Sequence, residues 1–142
     1  MHVNREQIDG LLAEIRATRE EGLAALEDLE ESEFSLSTAS RPWRWDTLIR
    51  VLLQFSNHMR EHAVQVEGTR AKIERPPTHP QRVHAQAEAA WGLLLASLVG
   101  LSDADLDVQP PDGGWTIRQA LEHIRGSERH YLDAILLARE EK

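Results

Sequence analysis

Four stretches of this chain repeat apolar residues at helical spacing, and they leave little sequence from which to make anything else. The first runs from about Asn4 to Leu29, with Ile8, Leu12, Ile15, Gly22, Leu26 and Leu29 on one face. The second runs from about Asp46 towards Ile73 and carries Leu48, Leu52, Phe55, Met59, His62 and Val66. A third covers about Thr78 to Leu101, with Val83, Ala87, Trp91, Leu94, Leu98 and Leu101. The last begins at Thr116 and holds Ile117, Leu121, Ile124, Tyr131 and Ile135. Spacing of i, i+3 or i+4, and i+7 makes one stripe on a helix and would scatter the same residues over both faces of a strand. Asn4-x-x-Gln7, Thr78-x-x-Gln81 and Thr116-x-x-Gln119 each place a capping side chain three residues before a Gln that can reach back. Pro76, Pro77 and Pro80 separate the second helix from the third, and Pro110 to Gly114 separates the third from the fourth. The predicted fold is all-α, a four-helix bundle in one domain spanning 1–142.

The halves of the chain also look alike at an offset of 72 residues. Leu26-x-x-Leu29, followed by Glu30, Glu31, Ser32, Glu33 and Phe34, lines up with Leu98-x-x-Leu101, followed by Ser102, Asp103, Ala104, Asp105 and Leu106. Carried on without a gap, Trp43 falls on Trp115 and His58 on His130. Two pseudo-symmetric helical hairpins, about 4–73 and 78–140, are therefore expected, with a groove between the second and fourth helices.

Composition narrows the function. Acidic side chains outnumber basic ones 24 to 16, a net charge of −8, which disfavours a nucleic-acid backbone or an anionic membrane as partner. The absence of cysteine removes disulfides, a thiolate nucleophile and Cys-ligated zinc or iron–sulfur centres. The longest charge-free run, Ala89 to Ser102, is shorter than the ~20 residues a spanning helix needs, and MHVNREQ lacks the apolar region of a leader. A cytoplasmic protein is expected.

His58-Met59-Arg60-Glu61-His62 is the most informative local string. Imidazoles at i and i+4 share a helix face one turn apart and can converge on one metal ion. Beside the stripe of Val51 and Phe55, both are expected to point inward. The string also fits H-x-x-E-H, the inverted zinc-protease pattern with Glu61 as base, but such peptidases need a further acidic ligand and a mixed α/β domain. On the fourth helix His123 and His130 lie two turns apart along one face. Helix direction decides which of them meets the pair. Parallel second and fourth helices bring His130 level with His58, whereas an antiparallel arrangement can bring His123 to it.

At Gly114, Trp115, Thr116, Leu121, His123 and Glu128, with His58 and His62, the chain resembles the DinB/YfiT-like superfamily of metal-binding four-helix bundles. The resemblance covers essentially the whole chain as a bundle, through few specific residues. It implies a divalent metal, Zn or Ni, held by His58, His62 and His123, with His130 in reserve. In many relatives the Trp-led His precedes the His-x-x-x-His helix; here that helix comes first. The resemblance further implies a transferase or hydrolase type of chemistry on a small-molecule substrate, using a low-molecular-weight thiol. Glu128 is then the candidate base or the partner that orients a ligand His. Its other reading is a surface partner for Arg125 or Arg129.

Trp43 and Trp115 close matching loops just before helices and are expected to plug the bundle's ends. In the third helix Leu93, Leu95 and Val99 cannot all share the core face with the stripe, so a second apolar surface is expected, suited to a homodimer. The competing function is a non-catalytic dimeric binding or sensor module that keeps the fold without metal.

Overall fold

The computed structural model describes residues 4–38 and 45–140. Four long helices follow one another: α1 (Glu6–Ala25), α2 (Leu48–Lys72), α3 (His79–Ser97) and α4 (Ile117–Glu140). Short 3-10 turns, Glu31–Ser35 and Asp103–Asp105, follow α1 and α3. Among the described residues no strand forms beyond an isolated antiparallel bridge between Ser37 and Thr47. The fold is all-α and built on four long helices, as the periodicity predicts. Trp43 and its expected role as a plug lie outside the described residues. The chain divides into two units, Met1–Ala85 and Gln86–Lys142, with the division inside α3.

Helix starts follow the capping logic in two of the three predicted places. The Thr78 amide donates to Gln81 Oε1 at 3.0 Å, and the Gln81 amide donates back to Thr78 Oγ1 at 3.4 Å. Thr116 and Gln119 make the same exchange at 2.9 and 3.2 Å, and Thr116 is 9% exposed. Each exchange satisfies two amides that the first helical turn leaves without partners. At α1 the cap is Arg5, and Asn4 Oδ1 instead accepts from the Glu6 amide at 3.1 Å. Asn4 sits one residue too early for the box and closes a local turn, a common competing use of Asn.

Helix ends repeat one another in detail. The Leu26 amide donates to the Leu23 carbonyl, Glu27 to Ala24 and Leu29 to Leu26; the Leu98, Val99 and Leu101 amides repeat the pattern to Leu95, Ala96 and Leu98. These i→i+3 bonds tighten both helices before the point where the apolar stripe stops, so α1 and α3 end four residues short of Leu29 and Leu101. Gly100, at φ 82°, supplies the left-handed residue at the second exit. Both acidic turns then carry a capping box, Glu30 with Glu33 and Ser102 with Asp105. The 72-residue register holds as far as Leu36 and Val108, whose amides bond Glu33 and Asp105. It does not extend into the next helices. Thr47 precedes α2, and Thr116 stands in the same place before α4, only 69 residues on. The second loop is thus three residues shorter, and counting from the helix starts sets His58 against Ser127 rather than His130.

Helix α2 ends in a Schellman arrangement. The Arg75 amide reaches the Arg70 carbonyl at 2.8 Å and the Glu74 amide reaches Ala71 at 3.2 Å, with Glu74 at φ 56°. That left-handed position favours glycine, and Pro76 follows to prevent further helix.

Within the first unit, α1 and α2 run antiparallel: Arg19 to Leu26 face Leu52 and Phe55, while Ile15 to Arg19 face Gln54 to His62. Among the described residues no hydrophobic side chain is buried; Ile15, Phe55 and Met59 stay close to half exposed. A pair of helices shields only one edge of each stripe, so the apolar faces that the periodicity predicts remain open as grooves.

Replacing Glu74 by Gly relieves the left-handed conformation, worth roughly 1–2 kcal/mol, against glycine's extra unfolded-state entropy of roughly 0.5–1 kcal/mol. A net gain of about 0.5–1 kcal/mol is expected for Glu74→Gly in chemical denaturation, and a loss of stability would refute the assignment of this helix end.

Candidate metal centre

His58 and His62 lie on consecutive turns of α2, and the structure brings their rings together. His62 Nε2 is 2.8 Å from His58 Nε2, and the rings meet edge to face with centroids 4.3 Å apart. Helical spacing alone produces this, because residues four apart sit one above the other. Both side chains are exposed rather than turned inward. They stand at the edge of an open groove of about 380 Å³, lined also by Ile15, Thr18, Arg19, Gln54, Phe55 and Met59.

The other nitrogen of His62 is also engaged: Nδ1 lies 2.5 Å from Gln65 Oε1. With Gln65 Oε1 as acceptor, the Nδ1-protonated tautomer of His62 fits both contacts, its bare Nε2 accepting from the N–H of His58 Nε2.

The spacing of the pair can be set against that of two ligands on one divalent ion. Two nitrogens each about 2.0–2.1 Å from one ion are about 2.9 Å apart at a right-angled site and about 3.3 Å at a tetrahedral one. The observed 2.8 Å is close to the first value and about 0.5 Å short of the second, so a tetrahedral ion would require the rings to part slightly. Once His58 moves its proton from Nε2 to Nδ1, two neutral imidazoles with bare Nε2 atoms would be a borderline-soft donor set of the kind Zn²⁺ and Ni²⁺ accept. Within each unit, no group of three or more His, Asp or Glu side chains comes together among the described residues. The described elements are all helical, without the mixed α/β domain that the peptidase pattern needs.

In the second unit, His123 stands against Trp115, with ring centroids 4.9 Å apart and an interplanar angle of 69°. Trp115 is 60% exposed and packs on His123 instead of plugging an end. His130 lies beside Tyr131 at 6.5 Å, and both line a shallow depression that His123 also borders. Glu128 is exposed and has no hydrogen-bond or ion-pair partner among the described residues. Arg129 pairs with Asp133 instead.

The loop that carries Trp115 is held from both sides. Gly114 donates to Asp112 Oδ1 at 2.9 Å and accepts from Gln109 Nε2 at 2.7 Å. Arg118 forms a two-pronged bond to Asp107, Nε to Oδ1 at 2.7 Å and Nη2 to Oδ2 at 2.8 Å. The Arg118 amide also reaches the Leu106 carbonyl at 2.9 Å. Sequence reasoning missed this clamp, since no periodicity links residues 107 and 118. The available signal was the Pro-Pro-Asp-Gly-Gly reversal between them, which returns the chain towards itself. An analogous anchor begins α2, where Arg50 bonds Asp46 at 2.9 Å and Thr38 bonds the Asp46 and Trp45 carbonyls.

Residues 86–142, less than half of the chain, match the family model of the DinB superfamily. This segment belongs to the DinB superfamily. The match begins where the second unit begins and covers Trp115, Thr116, His123 and Glu128. No curated protein and no solved structure matches the chain. No helix among the described residues is long and apolar enough to cross a membrane.

Hydrogen bonding from Arg118 holds the Asp107 carboxyl below its ordinary value of 3.8, and Asp107 in turn raises Arg118. A lowered carboxyl contributes stability that is present above pH 3.8 and is lost as the pH falls through the folded-state value. The wild type is therefore expected to lose more melting temperature below pH 3.8 than Asp107→Asn does. Identical acid profiles for the two proteins would dismiss the clamp as a contributor.

Proposed function

We propose that this DinB-superfamily protein binds a divalent metal, Zn or Ni, and that His58 and His62 form the chelating half of the site. The observation that carries the reading is the 2.8 Å approach of the two Nε2 atoms at the mouth of an apolar groove. His123 is proposed as the third ligand from the sequence resemblance, with His130 in reserve. The Trp115 contact supports His123 because a ring held on one face loses less freedom on binding.

When bound, such a metal supplies a Lewis acid that lowers the pKa of water or takes a thiolate. The chain's own residues do the rest. Phe55, Met59 and Ile15 offer an apolar wall for the body of a small-molecule substrate, and Arg19 adds a positive charge at the same groove. The chain contains no cysteine, so a reacting thiol comes from a low-molecular-weight partner in a transferase-type reaction; hydrolysis is the other type that an activated water allows. Glu128, exposed and unpaired among the described residues, is free to act as base. The proposed setting is the cytoplasm, where a cysteine-free chain needs no oxidising compartment.

One observation favours the competing reading of a binding or sensor module without metal. The chain His58–His62–Gln65 already satisfies its inner nitrogens by hydrogen bonds. Titration of metal-stripped protein with Ni²⁺ or Zn²⁺ separates the two. Metal binding predicts that His58→Ala/His62→Ala weakens affinity by more than the roughly 10–100-fold typical of losing an outer-shell partner. Absence of binding by the parent would leave the metal-free module, and unchanged affinity in the variant would move the metal off this pair.

The homodimer is proposed through α3 and the turn after it, where Leu93 is 75% exposed and Val99 63%. Sedimentation at micromolar concentration should show a dimer that Leu93→Glu dissociates; a monomeric parent would remove the interface.

A further inference from the structure

The Gln65 side chain has no role in the proposed function, yet it makes the closest contact to either imidazole of the pair. We propose that Gln65 is a positioning residue that selects the His62 tautomer and so presents His62 Nε2 to the ion. The inference rests on the metal reading and goes one shell outward from it.

A neutral imidazole carries its proton on either nitrogen, and only the bare nitrogen can ligate. In a free side chain both forms are populated, so part of the population points a proton at the metal position. Gln65 lies three residues on, within side-chain reach on the same helix face. Its Oε1 lies 2.5 Å from Nδ1, a contact that favours the proton there and leaves Nε2 bare on the side facing His58. The contact also fixes the ring's rotation, because Nδ1 and Nε2 are tied at opposite edges of one plane. His58 has no such partner on its Nδ1 among the described residues, so the pair is asymmetric: one imidazole is preset and the other adjusts. An outer-shell acceptor on the far nitrogen of a ligand His is the usual device for setting orientation and basicity. Here it comes from the same helix, so it does not depend on packing.

The test uses Gln65→Leu, which keeps helix propensity and removes the acceptor, and Gln65→Glu, which strengthens it. The first measurement is on metal-free protein, by long-range proton–nitrogen correlation above the imidazole titration range. Wild type is expected to show His62 protonated on Nδ1, and Gln65→Leu to shift it towards the Nε2-protonated form. The second is Ni²⁺ affinity by calorimetry, where Gln65→Leu should weaken binding roughly 10–100-fold and Gln65→Glu should match or exceed wild type. An Nε2-protonated His62 in wild type, or Gln65→Leu with wild-type tautomer and affinity, overturns the proposal. Failure of the metal reading is distinguishable: Ni²⁺ binding is then absent from wild type or persists in His62→Ala, whatever the tautomer shows.

Discussion

Residues four apart on a helix are neighbours whatever else the chain does, and the candidate site depends on that one constraint. His58, His62 and Gln65 all lie on α2, so their mutual geometry follows from a pitch of about 5.4 Å and needs no support from another element. This explains how a pair of imidazoles can meet while exposed. The surrounding stripe is unburied, and the two rings still meet because helix closure fixes their backbones. A site built this way is half made before any tertiary contact forms, leaving binding to supply the remaining ligands.

The same local logic made most of the fold legible. Apolar spacing located all four helices, and Thr-x-x-Gln located the starts of α3 and α4 because a hydroxyl acceptor and a long amide satisfy amides that helix formation strands. Where local rules compete, the reading slipped. Asn4 serves an immediate turn rather than a cap, and the stripes ending at Leu29 and Leu101 outrun their helices because 3-10 tightening starts four residues earlier. Apolar pattern reports which side chains want cover, whereas helix termination depends on backbone bonds, and the two need not stop together.

The repeated hairpin shows where sequence comparison fails. From Leu23 to Leu36 the backbone bonds recur at 72 residues, down to the capping boxes of the acidic turns. The following loops differ by three residues, so an ungapped alignment that is right in the turns is wrong in the helices. Pairing His58 with His130 came from extending the register past that point. A loop tolerates such a change because its length has only a slight effect on closure entropy. A helix does not tolerate it, because three residues rotate a side chain most of the way round the axis.

Local geometry gives His58 and His62, and a family pattern gives His123; the two arguments differ in kind. The first would survive transplanting α2 into another protein, since it rests on helical pitch and on an acceptor one turn away. The second depends on a Trp-led helix start whose physical content is the Trp115–His123 contact and the Asp107–Arg118 clamp behind it. That clamp couples a residue before the Pro-Gly reversal to one after it, so it orders the loop from which Trp115 projects. The second unit therefore holds its histidine by a loop held at both ends, and the first holds its pair by the helix itself. A single substitution at residue 107 or 118 should disturb His123 and leave the His58–His62 pair in place.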